Sequence, residues 1–269
     1  MTDSTTETSA AQAAIARLAT AGTLLVALDF DGTLAPRQDE PMAARMLPAA
    51  RVAVDALAAL PHTVVALVSG RSLRDLETIS EHTADSPIHL AGSHGAEFWH
   101  PGDGEPGPAL TPAQSAERDR IRHEAEAAVA DLDGVWIEPK TFGFAVHTRQ
   151  AGPDATATAH ERIEALMATQ DPAWRRRTGY DVLEFSSRQE GKDTAVAELR
   201  RRVGADAVLF AGDDVTDEDA LAGLGKGDLG VRVGEGESAA TVRVAGIPAL
   251  AELLADLARE RALALRARE

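Results

Sequence analysis

Short, almost continuous apolar runs constrain this chain most: TLLVALDF (23–30), HTVVALVSG (62–70), PIHLAGSHG (87–95), AVLFAGDD (207–214) and LGVRVG (229–234). Each is bounded by turn residues and too short for a buried helix, the signature of a strand covered on both faces. Stretches of helical composition alternate with them. These are 43–60, where Pro48 starts or interrupts a helix, SLRDLETISEH (72–82), DTAVAELRRRV (193–203) and the chain from Pro248 onward. Strand–helix alternation predicts an α/β fold, a parallel sheet with crossover helices.

The rhythm breaks once. HPGDGEPGPALTP (100–112) is rich in glycine and proline and marks a boundary. Beyond it come a charged helical stretch (113–131), the strand-like GVWIEPK and GFAVHTR, a second helix (154–169) and WRRRTGYDVLEF. Helices grouped with paired strands predict an inserted α+β unit. The expected division is a disordered tail over 1–12, a core at 13–104, the insert at 105–187 and the rest of the core at 188–269. Within the first part, AAQAAIARLAT reads as a short helix.

The 269 residues, 44% of them hydrophobic, are enough for a sizeable core. Acidic residues outnumber basic ones 43 to 27, and a net charge of −16 argues against a nucleic-acid or anionic-membrane partner. Any phosphorylated ligand then needs local positive groups. The absence of cysteine removes thiolate metal sites and disulfides and leaves the redox compartment open. MTDSTTETSA lacks the apolar stretch of a secretory signal, and no run is long enough for a bilayer, so the expectation is a cytoplasmic protein, monomeric by default.

Ligands of parallel α/β sheets sit beyond the carboxyl ends of the strands. Three strands here end in polar clusters: DFDGT (29–33), SGRS (69–72) and GDDVTDED (212–219). Side chains alternate along a strand, so Asp29 and Asp31 point to one side and Phe30 to the other. Two converging carboxylates are tolerable with a dication between them, and Asp213 or Asp214 supplies a third. An all-oxygen set of this kind suits Mg²⁺. A dication beside a carboxylate invites phosphoryl transfer, with Gly32 and Gly70 letting backbone N–H groups approach the phosphate. One aspartate then attacks phosphorus, and the other serves as acid and base.

Asp29-Phe30-Asp31-Gly32-Thr33-Leu34, Ser69 after a strand, Lys192 opening a helix and Gly212-Asp213-Asp214-x-x-Asp217 resemble, in order, the four motifs of haloacid dehalogenase (HAD) superfamily phosphatases. The resemblance implies a HAD-like Rossmannoid core whose insert is an α+β cap that closes over the site and chooses the substrate. Asp29 becomes the nucleophile and Asp31 the general acid/base. Asp29, Asp31 through its carbonyl, and Asp213 become the Mg²⁺ ligands. Ser69 and Lys192 bind phosphate with Gly70 and Arg71 beside them, and Asp214 and Asp217 lie behind, Asp217 orienting Lys192 or a metal water.

VVALVSGRSLRDL, LAGSHGAEF, EPKTFGFAVHTR, GYDVLEF and LAPRQDEPMAA are further similar to stretches of trehalose-6-phosphate phosphatases, over about residues 24–250. That likeness implies a phosphorylated disaccharide as substrate, gripped by Glu138, Lys140, Arg149 and Glu184 of the insert, with the loop residue His94 nearby. Carboxylates accept paired hydroxyl hydrogen bonds, and lysine and arginine donate to hydroxyls or phosphate. Cross-strand ion pairing is the other reading of Glu138, Lys140 and Arg149, and His147 reads equally well as structural or as a ligand. The arginines at 175–177 and 200–202 read as solvated faces without a role. Two departures bear on the sugar: Ser186-Ser187 where the family usually has Arg-Pro, and Tyr180 where some members have lysine. They keep open a trehalose-like pseudo-disaccharide phosphate or a glucosylglycerol- or glucosylglycerate-type phosphate. Two other rivals are a non-catalytic partner domain of a sugar synthase, expected to have lost Asp29, Asp31, Lys192 or Asp213, and a phosphoacceptor switch, which needs neither Asp31 nor a large insert.

Overall fold

The computed structural model describes residues 4–103, 110–170, 174–179 and 181–268. Its contacts divide the chain into two compact units, residues 1–105 with 191–269, and residues 106–190.

In the first unit the apolar runs become β1 (Leu24–Leu28), β2 (Thr63–Val68) and β3 (His89–Gly92), followed by β4 (Glu97–Trp99). The helices interleaved with them are α1 (Ser4–Ala19), α2 (Pro48–Ala58) and α3 (Leu73–Ile79). Pro48 stands at the first helical position, where its missing N–H costs nothing. In the second unit lie α4 (Pro112–Val129), β5 (Trp136–Lys140), β6 (Gly143–His147), α5 (Pro153–Met167), β7 (Arg175–Gly179) and β8 (Val182–Ser186). The first unit resumes with α6 (Lys192–Val203), β9 (Ala207–Gly212), a 3-10 turn Val215–Asp217, α7 (Glu218–Ala222), β10 (Leu229–Val233), β11 (Val242–Val244) and α8 (Ile247–Arg266).

The large sheet runs β11-β10-β9-β1-β2-β3-β4, parallel except for β4. Alternation splits β1 between two cores. Leu24, Val26 and Leu28 pack with α1, α2, α3 and α8, whereas Leu25 and Ala27 pack with α6 and α7. Double coverage explains why these strands read as unbroken apolar runs. The order places β1 beside both β2 and β9, so the three acidic or polar strand ends meet at one edge. Arg261 of α8 is fully buried and donates to the Thr63 hydroxyl at 2.6 Å and to the carbonyls of Ala21, Gly22 and His62 at 3.0, 3.2 and 2.6 Å.

The second unit is a four-stranded antiparallel sheet, β5-β6-β8-β7. Phe144, Val146, Leu183 and Phe185 pack on Ile121, Ala125 and Val129 of α4 and Ala159, Ile163 and Met167 of α5. The opposite face carries Glu138, Lys140, Arg175, Arg177 and Glu184, while Arg176 lies on the helix side and pairs with Glu164 of α5.

The structure corrects the sequence reading at several points. Helix α1 begins at Ser4, so most of the expected tail is helical; once an alanine-rich helix is nucleated, extending it through polar residues costs little. The stretch 174–185 is two strands, with Asp181 left-handed (φ 53°) at the turn between them. Tyr180 lies outside the described residues. Strands β4 and β11, three residues each, were not expected; they are too short to show a period. No helix among the described residues is long and apolar enough to cross a membrane.

Candidate active site

The strand order brings together the residues named on β1, β2 and β9. Asp29 leaves β1 with its N–H on the Ala211 carbonyl of β9, 2.9 Å. Its carboxylate is buried. Oδ1 accepts from Lys192 Nζ at 2.5 Å and Oδ2 from the Thr33 hydroxyl at 3.1 Å. Lys192, the first residue of α6, also donates to Asp217 Oδ1 at 2.6 Å. Asp217 Oδ2 accepts the N–H groups of Asp213 and Asp214 at 3.1 and 2.9 Å, so this fully buried carboxylate folds the β9 turn and holds Lys192 at once. Asp213 accepts from Thr33 at 3.2 Å and from Arg37 at 2.8 Å. Asp214 turns away and caps the following turn through the Val215 N–H, 2.8 Å.

Asp31 takes a different cation. Arg71 grips its carboxylate with two hydrogen bonds, 2.6 and 2.7 Å. The two aspartates of DFDGT thus each have a separate positive partner, Lys192 for Asp29 and Arg71 for Asp31. The side-chain cluster able to hold a metal is Asp29, Asp213 and Asp217, each offering an oxygen within 4.8 Å of the others; Asp31 belongs to the expected set only through its main-chain carbonyl. Both oxygens of Asp217 are taken by Lys192 and two backbone N–H groups, whereas Asp29 Oδ2 and Asp213 Oδ1 share the neutral Thr33 hydroxyl and are the oxygens placed to hold a cation.

Ser69 is buried, its hydroxyl accepting the Arg71 N–H at 3.1 Å. A side chain on Gly70 would stand 2.6 Å from the His94 ring, so the imidazole lies against the bare backbone there. Ser93 and His94 both adopt left-handed backbone (φ 48° and 57°), an uncommon pair for non-glycine residues and the kind of strain found at functional loops. Gly32 is obligatory. Its φ is +87° and a Cβ would meet Asp213 Oδ2 at 2.0 Å.

The electrostatics point one way. Burial pushes the Asp29 carboxyl well above its ordinary value, opposed by Lys192 and reinforced by Asp217 and Asp213. Burial likewise raises Asp213 against the pull of Arg37. Burial also works against the Lys192 charge, but Asp217 and Asp29 outweigh it and hold its pKa above the usual lysine range. Three carboxylates therefore share one ammonium and one guanidinium, Lys192 and Arg37, and a small divalent cation at Asp29 and Asp213 fits the remaining deficit of positive charge.

In the second unit, Glu138 and Lys140 lie on one face of β5, and Lys140 Nζ donates to Glu138 Oε1 at 2.7 Å. His147 Nε2 meets Glu138 Oε2 at 2.6 Å. Burial opposes the Glu138 charge, but His147 and Lys140 overcome it and hold the pKa at about 2. Glu184 stands on the same face, on the rung Glu138–Ala145–Glu184–Arg177. Arg149 is exposed in the turn after β6. Arg177, taken from sequence as a solvated residue, is only 9% exposed and pairs with Glu184 at 3.4 Å. Ser187 donates to the Phe142 carbonyl at 2.9 Å, tying the end of β8 to the β5–β6 turn, and Ser186 accepts from the Arg188 N–H at 3.1 Å, closing a local turn.

Sequence reasoning gave no role to Thr33, Arg37 or Arg177. Arg177 had half a signal: counting by twos along β7 sets it on one face with Arg175, but its place opposite Glu184 depends on the β7–β8 register. Arg37 had none, since its segment has no regular period.

Comparison with known proteins gives these contacts a family. The trehalose-phosphatase family model matches residues 27–243, which include all four core motifs. The chain belongs to the trehalose-phosphatase family. A trehalose-phosphate phosphatase of Mycolicibacterium paratuberculosis is 37% identical over 207 residues, covering 73% of this chain and 50% of that one. The trehalose-6-phosphate phosphatase of Escherichia coli is 31% identical over 226 residues, covering 82% and 81%. The chain thus spans about half the length of the mycobacterial family member and most of the enterobacterial one. The C-terminal domain of the Candida albicans trehalose-6-phosphate phosphatase superposes with a TM-score of 0.78 at 21% identity, covering 93% and 96%. The fold is that of the HAD superfamily, a Rossmannoid core with an inserted α+β unit.

Proposed function

We propose that the protein hydrolyses trehalose 6-phosphate to trehalose and phosphate through an aspartyl-phosphate. The observation that carries this is the buried Asp29–Lys192–Asp217 cluster, with Asp213 beside it and Asp31 held apart by Arg71.

Lys192 opposes the protonation that burial favours at Asp29 and fixes its direction, so that the carboxylate oxygen is aimed for attack on phosphorus. To act as the acid, Asp31 takes up a proton from solvent and gives up one of its two Arg71 hydrogen bonds, and as the O–P bond to the sugar breaks it passes that proton to the leaving alkoxide. Asp31 then takes a proton from the water that attacks the phosphoenzyme, which returns Asp29 and releases phosphate. Arg71 sets the direction of Asp31 in its ionised form. Ser69 and the N–H groups around Gly32 and Gly70 suit the phosphoryl oxygens. Asp29, the Asp31 carbonyl and Asp213 would hold Mg²⁺, which would supply the positive charge that lets an anionic carboxylate meet an anionic phosphate. The polar face of the second unit, with Glu138, Lys140 and Glu184, supports recognition of sugar hydroxyls.

Phosphate release in Mg²⁺ tests the reading, with Asp29→Asn as blank. Loss of nearly all turnover, at least roughly 10³-fold, is expected in a variant that still folds. Substantial activity in Asp29→Asn would exclude the nucleophile role.

A further inference from the structure

The charged face of the 106–190 unit is a grid of three rungs. The first reads Trp136–His147–Val182–Gly179, the second Glu138–Ala145–Glu184–Arg177, and the third Lys140–Gly143–Ser186–Arg175. The middle strand contributes only Ala145 and Gly143 to the last two rungs. Glu138 and Glu184 therefore stand two strand spacings apart, roughly 10 Å between backbones, across a floor of one methyl and one glycine. A hexose ring lying there meets a carboxylate on each side.

Each glutamate has its own basic support. His147, diagonal to Glu138, holds Oε2 at 2.6 Å while the Trp136 indole stacks on the imidazole, 4.7 Å between centroids and 5° from parallel. The stack fixes the ring plane, and Nδ1 is buried with no partner, so Nε2–H is the atom the imidazole spends on Glu138. Arg177, directly opposite Glu184, lies 3.4 Å from its Oε1 and donates its other Nη to the Glu190 carbonyl. Its side chain is 8% exposed against 15% for Glu184, too enclosed to be a sugar contact.

We propose that His147 and Arg177 are a matched pair of positioning residues, each aiming one of the two glutamates that flank the Ala145 floor. This rests on the sugar-phosphate reading above. A carboxylate aimed in advance accepts hydroxyls without first losing its own rotational freedom, and an unaimed one binds more weakly. The pair therefore acts on sugar recognition rather than on phosphoryl chemistry.

The test compares His147→Phe, His147→Gln, Arg177→Met and Arg177→Lys on trehalose 6-phosphate and on 4-nitrophenyl phosphate. For His147→Phe and Arg177→Met, kcat/KM on the sugar phosphate falls by about tenfold more than on the aryl phosphate, chiefly through KM. Gln can place an amide N–H where Nε2–H stands and recovers much of the loss; Lys does so in part, lacking the fork. Adding Arg177→Met to Glu184→Ala costs little beyond Glu184→Ala alone, because the partner it aims is already gone. Equal losses on both substrates, Gln as poor as Phe, or additive effects of Arg177→Met and Glu184→Ala would overturn the assignment. A wild-type protein with no preference for any sugar phosphate over the aryl one would instead remove the functional reading on which it stands.

Discussion

Replacing Lys192 by methionine keeps the apolar stem of the side chain and removes the charge that Asp29 and Asp217 share at 2.5 and 2.6 Å. Lys192 and Asp217 are 3% and 0% exposed, so water does not replace the ammonium. Breaking a buried pair in this way costs about 3–5 kcal/mol. A second route limits the loss: one proton taken up between the two carboxylates relieves their repulsion. From an ordinary aspartate value of 3.8, that proton costs about 5.7 kcal/mol at pH 8 and about 1.6 kcal/mol at pH 5, at 1.36 kcal/mol per unit. Lys192→Met should therefore lose the full 3–5 kcal/mol at pH 8, roughly 6–20 °C in Tm, and under about 2 kcal/mol at pH 5. Circular-dichroism melts in chelator at the two pH values read this directly. A Tm within about 3 °C of wild type at pH 8, or the same deficit at both, would refute the argument.

The other predictions concern charge and recognition. In metal-free protein Asp29 and Asp213 have folded pKa values raised above 3.8, so their contribution is present below that value and is lost as pH rises through the folded values. Saturating Mg²⁺ should then raise Tm more at pH 8 than at pH 5, and an equal rise at both would count against a site on these carboxylates. His89 and His100 share a 2.9 Å Nδ1–Nδ1 contact, and burial, with His100 and Arg202, lowers His89 from 6.5 to about 4. Their neutral forms stabilise the fold above pH 6.5 and that stability is lost as pH falls toward 4; allowing for partial exposure it amounts to about 1–2 kcal/mol. His89→Gln should flatten this slope in melts between pH 7 and 4.5, and an unchanged slope would place the titration elsewhere. Glu138→Ala or Glu184→Ala should impair trehalose 6-phosphate at least tenfold more than 4-nitrophenyl phosphate, and equal losses would sink the sugar-face reading.

Much of the core was legible because its signals are local. Apolar runs covered on both faces name the strands, and an acidic or small residue at a strand's end names the edge where chemistry collects. Asp29 and Asp213 follow from position in that pattern, whereas Ser69 and Lys192 were named by the resemblance of the ordered motifs to the phosphatase superfamily. What Asp31 does with its charge did not follow, since the bond to Arg71 depends on β2 lying beside β1 and on a side chain crossing between their ends. Arg37 is a similar case, reaching Asp213 from a segment without regular structure. In the second unit the strands were visible but their register was not. Arg177 looked like one member of a solvated run until pairing with β8 set it against Glu184. Tertiary partners of charged residues are set by register and crossover, and a single chain shows neither directly. Arg261, buried against five carbonyls and a hydroxyl near the end of the chain, is the extreme instance.

The most direct test of the central claim is kcat/KM in Mg²⁺ for trehalose 6-phosphate beside glucose 6-phosphate, sucrose 6-phosphate, glucosylglycerol phosphate and a pseudo-disaccharide phosphate, with Asp29→Asn as blank. The account predicts a preference for trehalose 6-phosphate of at least about a hundredfold, worth roughly 3 kcal/mol of recognition by the charged face. A higher value for another member of the panel, with the blank inactive, would contradict the substrate while leaving the aspartate chemistry in place.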